Sequence, residues 1–226
     1  MPQRVVAIDG PAGAGKTTVA RVLAARLGYT YLPSGTFYRA LAWRALRAGT
    51  ALDDERALAE LADATAIEVR VEGDGRCRAL VDGVDVTGAL GGSAVGEAAS
   101  RISVFPAVRR RMVALQRRFA EGRPVVAEGR DMASVVFADA EHKFYLDATV
   151  EERARRRAAD LRALGEPADE ARLAAELAAR DSRDSSRQAA PLCQAEGAVR
   201  VDTTGLSVEE VVTRLLGEIR RGRQTS

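Results

Sequence analysis

The sequence predicts an α/β fold in which a mainly parallel sheet carries helices on both faces. Three observations lead there. Short β-branched apolar runs alternate with segments of helical spacing. A glycine-rich stretch joins the first such run to the first helix. Between roughly 64 and 92 the pattern changes to apolar–polar alternation, the mark of an antiparallel insertion.

In chain order, "RVVAI" (4–8) is a buried strand, followed by a helix on which Val19, Val22, Leu23 and Leu27 share a face up to Gly28. "YTYL" (29–32) is a second strand. Thr36 to Arg47 is helical and stops near Gly49, and a short third helix starts at the cap candidate Asp53. "AIEVRV" (66–71), "CRALV" (77–81) and "VDVT" (84–87), with the turns "EGDG" and "DG", form the ribbon. Val108, Met112, Leu115 and Phe119 then mark a helix ended by Gly122 and Pro124. Strands "PVVA" (124–127) and "KFYL" (143–146) follow, with His142, the single histidine, at a strand end. Thr149 with Glu152 forms a capping box opening an arginine-rich helix to about Leu164. A further helix spans Asp169 to Arg180, "AVRVD" (198–202) is the last strand, and a Ser207/Glu210 box opens the closing helix.

Composition bounds the function. With 226 residues, one main domain with insertions is expected. Hydrophobic residues make up 46% and charged residues 29%, an ordinary globular balance. Thirty-four basic against thirty-two acidic side chains leave a net charge of +2, too little for a general nucleic-acid binder. The early apolar run Val5–Ile8 is too short for a signal peptide or membrane span, and Cys77 and Cys193 have no metal or disulfide spacing. A cytoplasmic protein with reduced thiols is expected, by default a monomer.

"GPAGAGKT", Gly10 to Thr17, matches G-x-x-x-x-G-K-[ST] and stands between a strand and a helix, where the mechanism requires it. Backbone N–H groups of such a loop cradle phosphate oxygens, and the helix N-terminus adds positive charge. Lys16, one of only two lysines, would reach the β- and γ-phosphates of ATP, and the Thr17 hydroxyl would ligate Mg²⁺. Gly10, Pro11, Ala12, Gly13, Ala14, Gly15, Lys16, Thr17 and Thr18 are therefore the candidate ATP-binding residues.

The loop does not identify the acceptor. Arg39, Arg109 and Arg130 stand at element ends; Arg153, Arg155, Arg156 and Arg157 crowd one helix; Arg180, Arg183 and Arg187 lie in "ARDSRDSSR". Guanidinium groups bind two phosphate oxygens at once, and an acceptor that is itself a phosphate needs cations but no general base. This pattern favours a phosphate acceptor weakly, because the chain uses arginine everywhere. A hydroxyl acceptor, UMP, or a regulatory NTPase remain alternatives at this point.

"IDGPAGAGKTT", "PSGTFYRAL", "AASRISVFPAVR", "VVAEGRDMASVVFADA", "EERARRR" and "RDSRDSSRQAAPL" occur in order across nearly the whole chain. Together they closely resemble the bacterial cytidylate kinases, a branch of the nucleoside-monophosphate kinases. The resemblance implies a five-stranded parallel sheet, an antiparallel β insert and a helical lid. It also implies a core of about 1–33, 93–149 and 190–226, a monophosphate-binding region of 34–92 and a lid of 150–189. It implies ATP-dependent phosphorylation of CMP and dCMP in pyrimidine nucleotide metabolism. Ser34, Arg39 and Arg130 would surround the acceptor phosphate and sugar. Ser100, Arg109 and Asp131 would meet the cytosine, and Arg180, Asp184 and Arg187 would approach sugar and phosphates as the lid closes. Lys16, Arg130, Arg180 and Arg187 would carry catalysis, and Arg157 would contact ATP. A carboxylate at 131 accepts from the cytosine N4 amine, where uracil presents a repelling carbonyl. Pro33, Ala133 and Ala138 depart mildly from the family pattern, in loops.

Overall fold

The computed structural model describes residues 4–72, 76–163 and 165–224. The expected "EGDG" turn falls largely at 73–75 and the expected helix end at Leu164, both outside the described residues. A five-stranded parallel sheet has the order β2-β6-β1-β7-β8, and a three-stranded antiparallel sheet the order β3-β4-β5. These strands are β1 (Val5–Asp9), β2 (Thr30–Pro33), β3 (Ile67–Val71), β4 (Cys77–Val81), β5 (Val84–Asp85), β6 (Val125–Glu128), β7 (His142–Asp147) and β8 (Val199–Asp202). Eight helices accompany them among the described residues: α1 (Lys16–Leu27), α2 (Ser34–Ala48), α3 (Glu55–Ala64), α4 (Ser93–Ile102), α5 (Pro106–Ala120), α6 (Val150–Ala163), α7 (Glu170–Ser186) and α8 (Val208–Gln224).

The chain divides into two compact units. The first comprises residues 29–125 among those described. In it α2 packs on α4 and on the antiparallel sheet, and α3 packs on α5. Phe37, Leu41, Leu58, Ile102 and Met112 are fully buried there. The ribbon turns at Asp82 and Gly83, both with positive φ, which suits a tight hairpin on a "DG" pair. The second unit comprises 4–28 and 126–224. β7 lies parallel between β1 and β8, α1 packs on α8, and α6 packs on α7. Its core includes Ile8, Leu23, Met132, Phe144, Leu146 and Leu215.

Several boundaries differ from the sequence expectation, each for a local reason. α3 is capped by Asp54, whose side chain accepts from Ala57 N, rather than by Asp53. α2 starts at Ser34, two residues before the expected Thr36, with Pro33 in the cap position. α7 continues six residues past Arg180, through the polar "DSRDSS" that carries no helical apolar signal. α4 was not expected: its buried stripe Val95, Ala98, Ala99 and Ile102 has helical spacing, but small alanines make up half of it. The Ser207/Glu210 box forms in both directions. Only half of the Thr149/Glu152 box forms, because the Glu152 carboxylate is drawn to Arg155 and Arg156.

Candidate active site

In the second unit, Gly10–Gly15 link the end of β1 to α1. Gly10 has φ 147, and a Cβ there would collide with the Leu146 carbonyl oxygen, so the chain can pass only as glycine. The loop's outward carbonyls are occupied: Ala12 O accepts from Arg153, and Ala14 O accepts from the Thr203 hydroxyl. That leaves the loop's N–H groups to face a ligand. Lys16 is 5% exposed, and its Nζ donates to Pro11 O at 2.6 Å. Burial, reinforced by the positive Arg130, pulls its pKa down to about 7, against the upward pull of Glu128 and Asp9. Thr17 Oγ1 donates to Glu128 Oε1 at 3.3 Å. A hydroxyl and a carboxylate so placed suit Mg²⁺, which takes few protein oxygens and completes its shell with phosphates and water.

Arg130 and Asp131 follow β6. Arg130 Nε donates to Asp184 Oδ2 at 2.9 Å, and Arg187 stands 4.0 Å from the other Asp184 oxygen. The second unit thus brings together Lys16, Arg130, Asp184 and Arg187, with Arg180 on α7 close enough to depress Lys16. Asp131 is buried at the head of a five-residue π-helical turn, Met132–Val136. Of the α6 arginines, Arg155 pairs with Glu152 at the surface and Arg157 is exposed. Arg153 is the buried one, bonded to Ala148 O, Ala12 O and Asp181. Arg156 bonds to Thr203 and approaches Gly15.

The first unit holds the other predicted residues. Ser34 is buried at the start of α2. Arg39 donates to Leu90 O at 2.8 Å, and its guanidinium lies alongside Gly96. Arg109 is 5% exposed, donates to Ser103 O at 3.0 Å, and sits over the Tyr38 ring at 5.7 Å. Ser103 Oγ in turn donates to Ser100 O, so the end of α4 is tied to the start of α5. Ser100 Oγ is buried and bonds to no described protein atom.

Sequence reasoning passed over Asp9, Glu128 and Thr203. The two acids end strands beside the phosphate loop and Thr203 follows β8, positions that gain meaning only once β1, β6 and β8 share a sheet. Arg153 was weighed with its neighbours, and nothing in "RARRR" distinguishes it from them.

A cytidylate kinase from Symbiobacterium thermophilum is 48% identical over 217 residues, covering 96% of both chains. One from Geobacillus kaustophilus is 49% identical over 217 residues, again 96% of both. One from Stutzerimonas stutzeri is 44% identical over 219 residues, 96% of both. Among solved structures, an uncharacterized protein from Eubacterium ventriosum shares the fold with a TM-score of 0.53 at 12% identity, over 96% of this chain and 99% of that one. With the sequence profile described as cytidylate kinase matching residues 6–221, nearly end to end, the chain belongs to the cytidylate kinase family.

Proposed function

We propose that the protein transfers the γ-phosphoryl group of ATP to CMP and dCMP, giving CDP or dCDP and ADP. The observation that carries the mechanism is the grouping, in one unit, of buried Lys16 with the Arg130–Asp184–Arg187 cluster and Asp131. An acceptor phosphate oxygen is already ionised, so it attacks the γ-phosphorus without a base as the bond to the β-bridging oxygen breaks. Lys16 holds the β- and γ-phosphates, with the N–H groups of Gly13, Gly15, Lys16, Thr17 and Thr18 around them. Thr17 and Glu128 would hold Mg²⁺, which would supply charge neutralisation to the phosphates.

Arg130 and Arg187, paired with Asp184, take up the acceptor phosphate, and Ser34 and Arg39 are assigned to it as well. Arg180 and Asp184 serve sugar and phosphate. Asp131 accepts from the cytosine N4 amine, and Ser100 and Arg109 complete recognition of the ring. Residues 150–189 act as a lid that shuts water out, since water would otherwise consume ATP. Arg153 and Arg156, bonded into the loop's surroundings, support the ATP side more directly than exposed Arg157. The protein works as a cytoplasmic monomer, without nucleic-acid or membrane partners. The near-neutral charge argues against a nucleic-acid partner. Separately, no described helix is long and apolar enough to cross a membrane.

The test is ADP release from ATP with AMP, GMP, UMP, CMP and dCMP offered in turn. CMP and dCMP should be the fastest acceptors. Faster turnover with AMP or GMP would reject the assignment.

A further inference from the structure

We propose that Asp9 is a positioning residue for acceptor selection: from the last position of β1 it holds the turn that carries Asp131. Its two carboxylate oxygens accept separately from Met132 N and Ala133 N, each at 2.8 Å, and the residue is 1% exposed. These two donors open the π-helical turn Met132–Val136, where N–H groups have no partner within the turn itself. Within the turn, Val135 N and Val136 N both bond to Asp131 O, and Phe137 N bonds to Met132 O. No side chain of the turn caps its start. Asp9 supplies the cap from another strand, 123 and 124 residues away in sequence.

The arrangement makes chemical sense for a specificity element. Discrimination between an amine and a carbonyl on a pyrimidine depends on where a carboxylate sits, and an ångström of slack in it is expensive. Asp131 lies beside the two amides that Asp9 fixes, so its backbone cannot drift without breaking a bond to a buried carboxylate. Asp9 also directly precedes Gly10, the first glycine of the phosphate loop. One residue therefore joins the loop proposed to hold the donor to the turn proposed to read the acceptor. Burial raises its pKa to about 6, against the downward pull of the bonds from Ala133 N and Met132 N; the charge of Asp131 adds to the rise and that of Lys16 opposes it.

The inference rests on the proposed base-reading role of Asp131, and the experiment separates the two. Asp9→Asn keeps the shape but turns an amide NH₂ towards one of the two N–H groups. Kinetics are measured for CMP, UMP and ATP with Asp9→Asn and Asp131→Asn. The expected result for Asp9→Asn is a loss of about tenfold or more in kcat/KM for CMP, expressed mainly in the KM for CMP, with a smaller loss for UMP and the KM for ATP within about threefold. A fall in ATP affinity with the CMP-to-UMP ratio intact would assign Asp9 to the phosphate loop and overturn the proposal. An unchanged ratio in Asp131→Asn would instead overturn base reading by Asp131.

A second measurement needs no variant and no role for Asp131. In the native protein the amide protons of Met132 and Ala133 should move with pH at the same midpoint as the Asp9 carboxyl carbon, and further than those of Gly13 and Gly15. Amides at 132 and 133 that stay still while the Asp9 carboxyl titrates would show that it does not hold the turn.

Discussion

At the scale of single residues, the protein's chemistry depends on charges placed where water cannot help them. Lys16 stood out in the sequence because the chain has only one other lysine, and its burial explains the isolation. Its folded pKa, about 7, lies below the ordinary 10.5, so protonated Lys16 costs stability below about pH 7, and the cost fades as pH rises towards 10.5. Bound triphosphate reverses this preference, since its negative charge favours the ammonium form. ATP binding should therefore take up close to one proton at about pH 8 and far less through Lys16 at about pH 6, an uptake that Lys16→Met abolishes. Calorimetry in buffers of different ionisation enthalpy measures it directly. Asp131→Asn tests the other end of the reaction. It should lower kcat/KM for CMP about tenfold or more, roughly 1–3 kcal/mol, while changing UMP little; equal losses would point to a structural role. Asp9, by contrast, was not legible, because an acid before a glycine at a strand end reads as a solvated cap until the fold sets Met132 and Ala133 against it.

At the scale of elements, signals carried by side-chain periodicity survived and signals carried by the backbone alone did not. β1, α1, α5 and α8 followed from apolar spacing, and the ribbon from alternation. The π-helical turn and α4 were invisible, since "MASVV" looks like a strand and "SAVGEAASRI" has mostly small residues to bury. Caps fall between these cases. "DD" at 53–54 offers two candidates, and tertiary packing chooses the one that turns Leu58 and Ala62 inward. The choice is measurable. Asp54→Ala should cost about 1 kcal/mol in denaturant unfolding, because it frees the Ala57 amide, whereas Asp53→Ala should stay within about 0.5 kcal/mol. Comparable losses would mean that both acids act only through the helix dipole.

At the scale of the whole molecule, the number of arginines misdirects and their placement instructs. Many ion pairs are local and exposed, as in Arg56–Glu60, Arg70–Glu68, Arg155–Glu152 and Arg172–Glu176, and such pairs contribute little. Among the described residues the buried guanidinium groups are Arg109, Arg153 and Arg187, a set that composition could not pick out. The division of the chain into two units then yields a prediction about ligands. Every residue proposed to hold ATP lies within 4–28 or 126–224, whereas the residues proposed for CMP also include Ser34, Arg39, Ser100 and Arg109. A ligand protects what it contacts by shifting the local opening equilibrium. In hydrogen exchange, ATP alone should slow amides of the phosphate loop and of 150–187 while leaving 34–39 and 100–109 unchanged. Adding CMP should then slow exchange at those two segments as well as at 130–133. If ATP alone protected 34–39 as strongly as the ternary mixture, the assignment of Ser34 and Arg39 to the acceptor would fail. If CMP protected 34–39 and 100–109 but never 130–133, it would be Asp131 that does not meet the base.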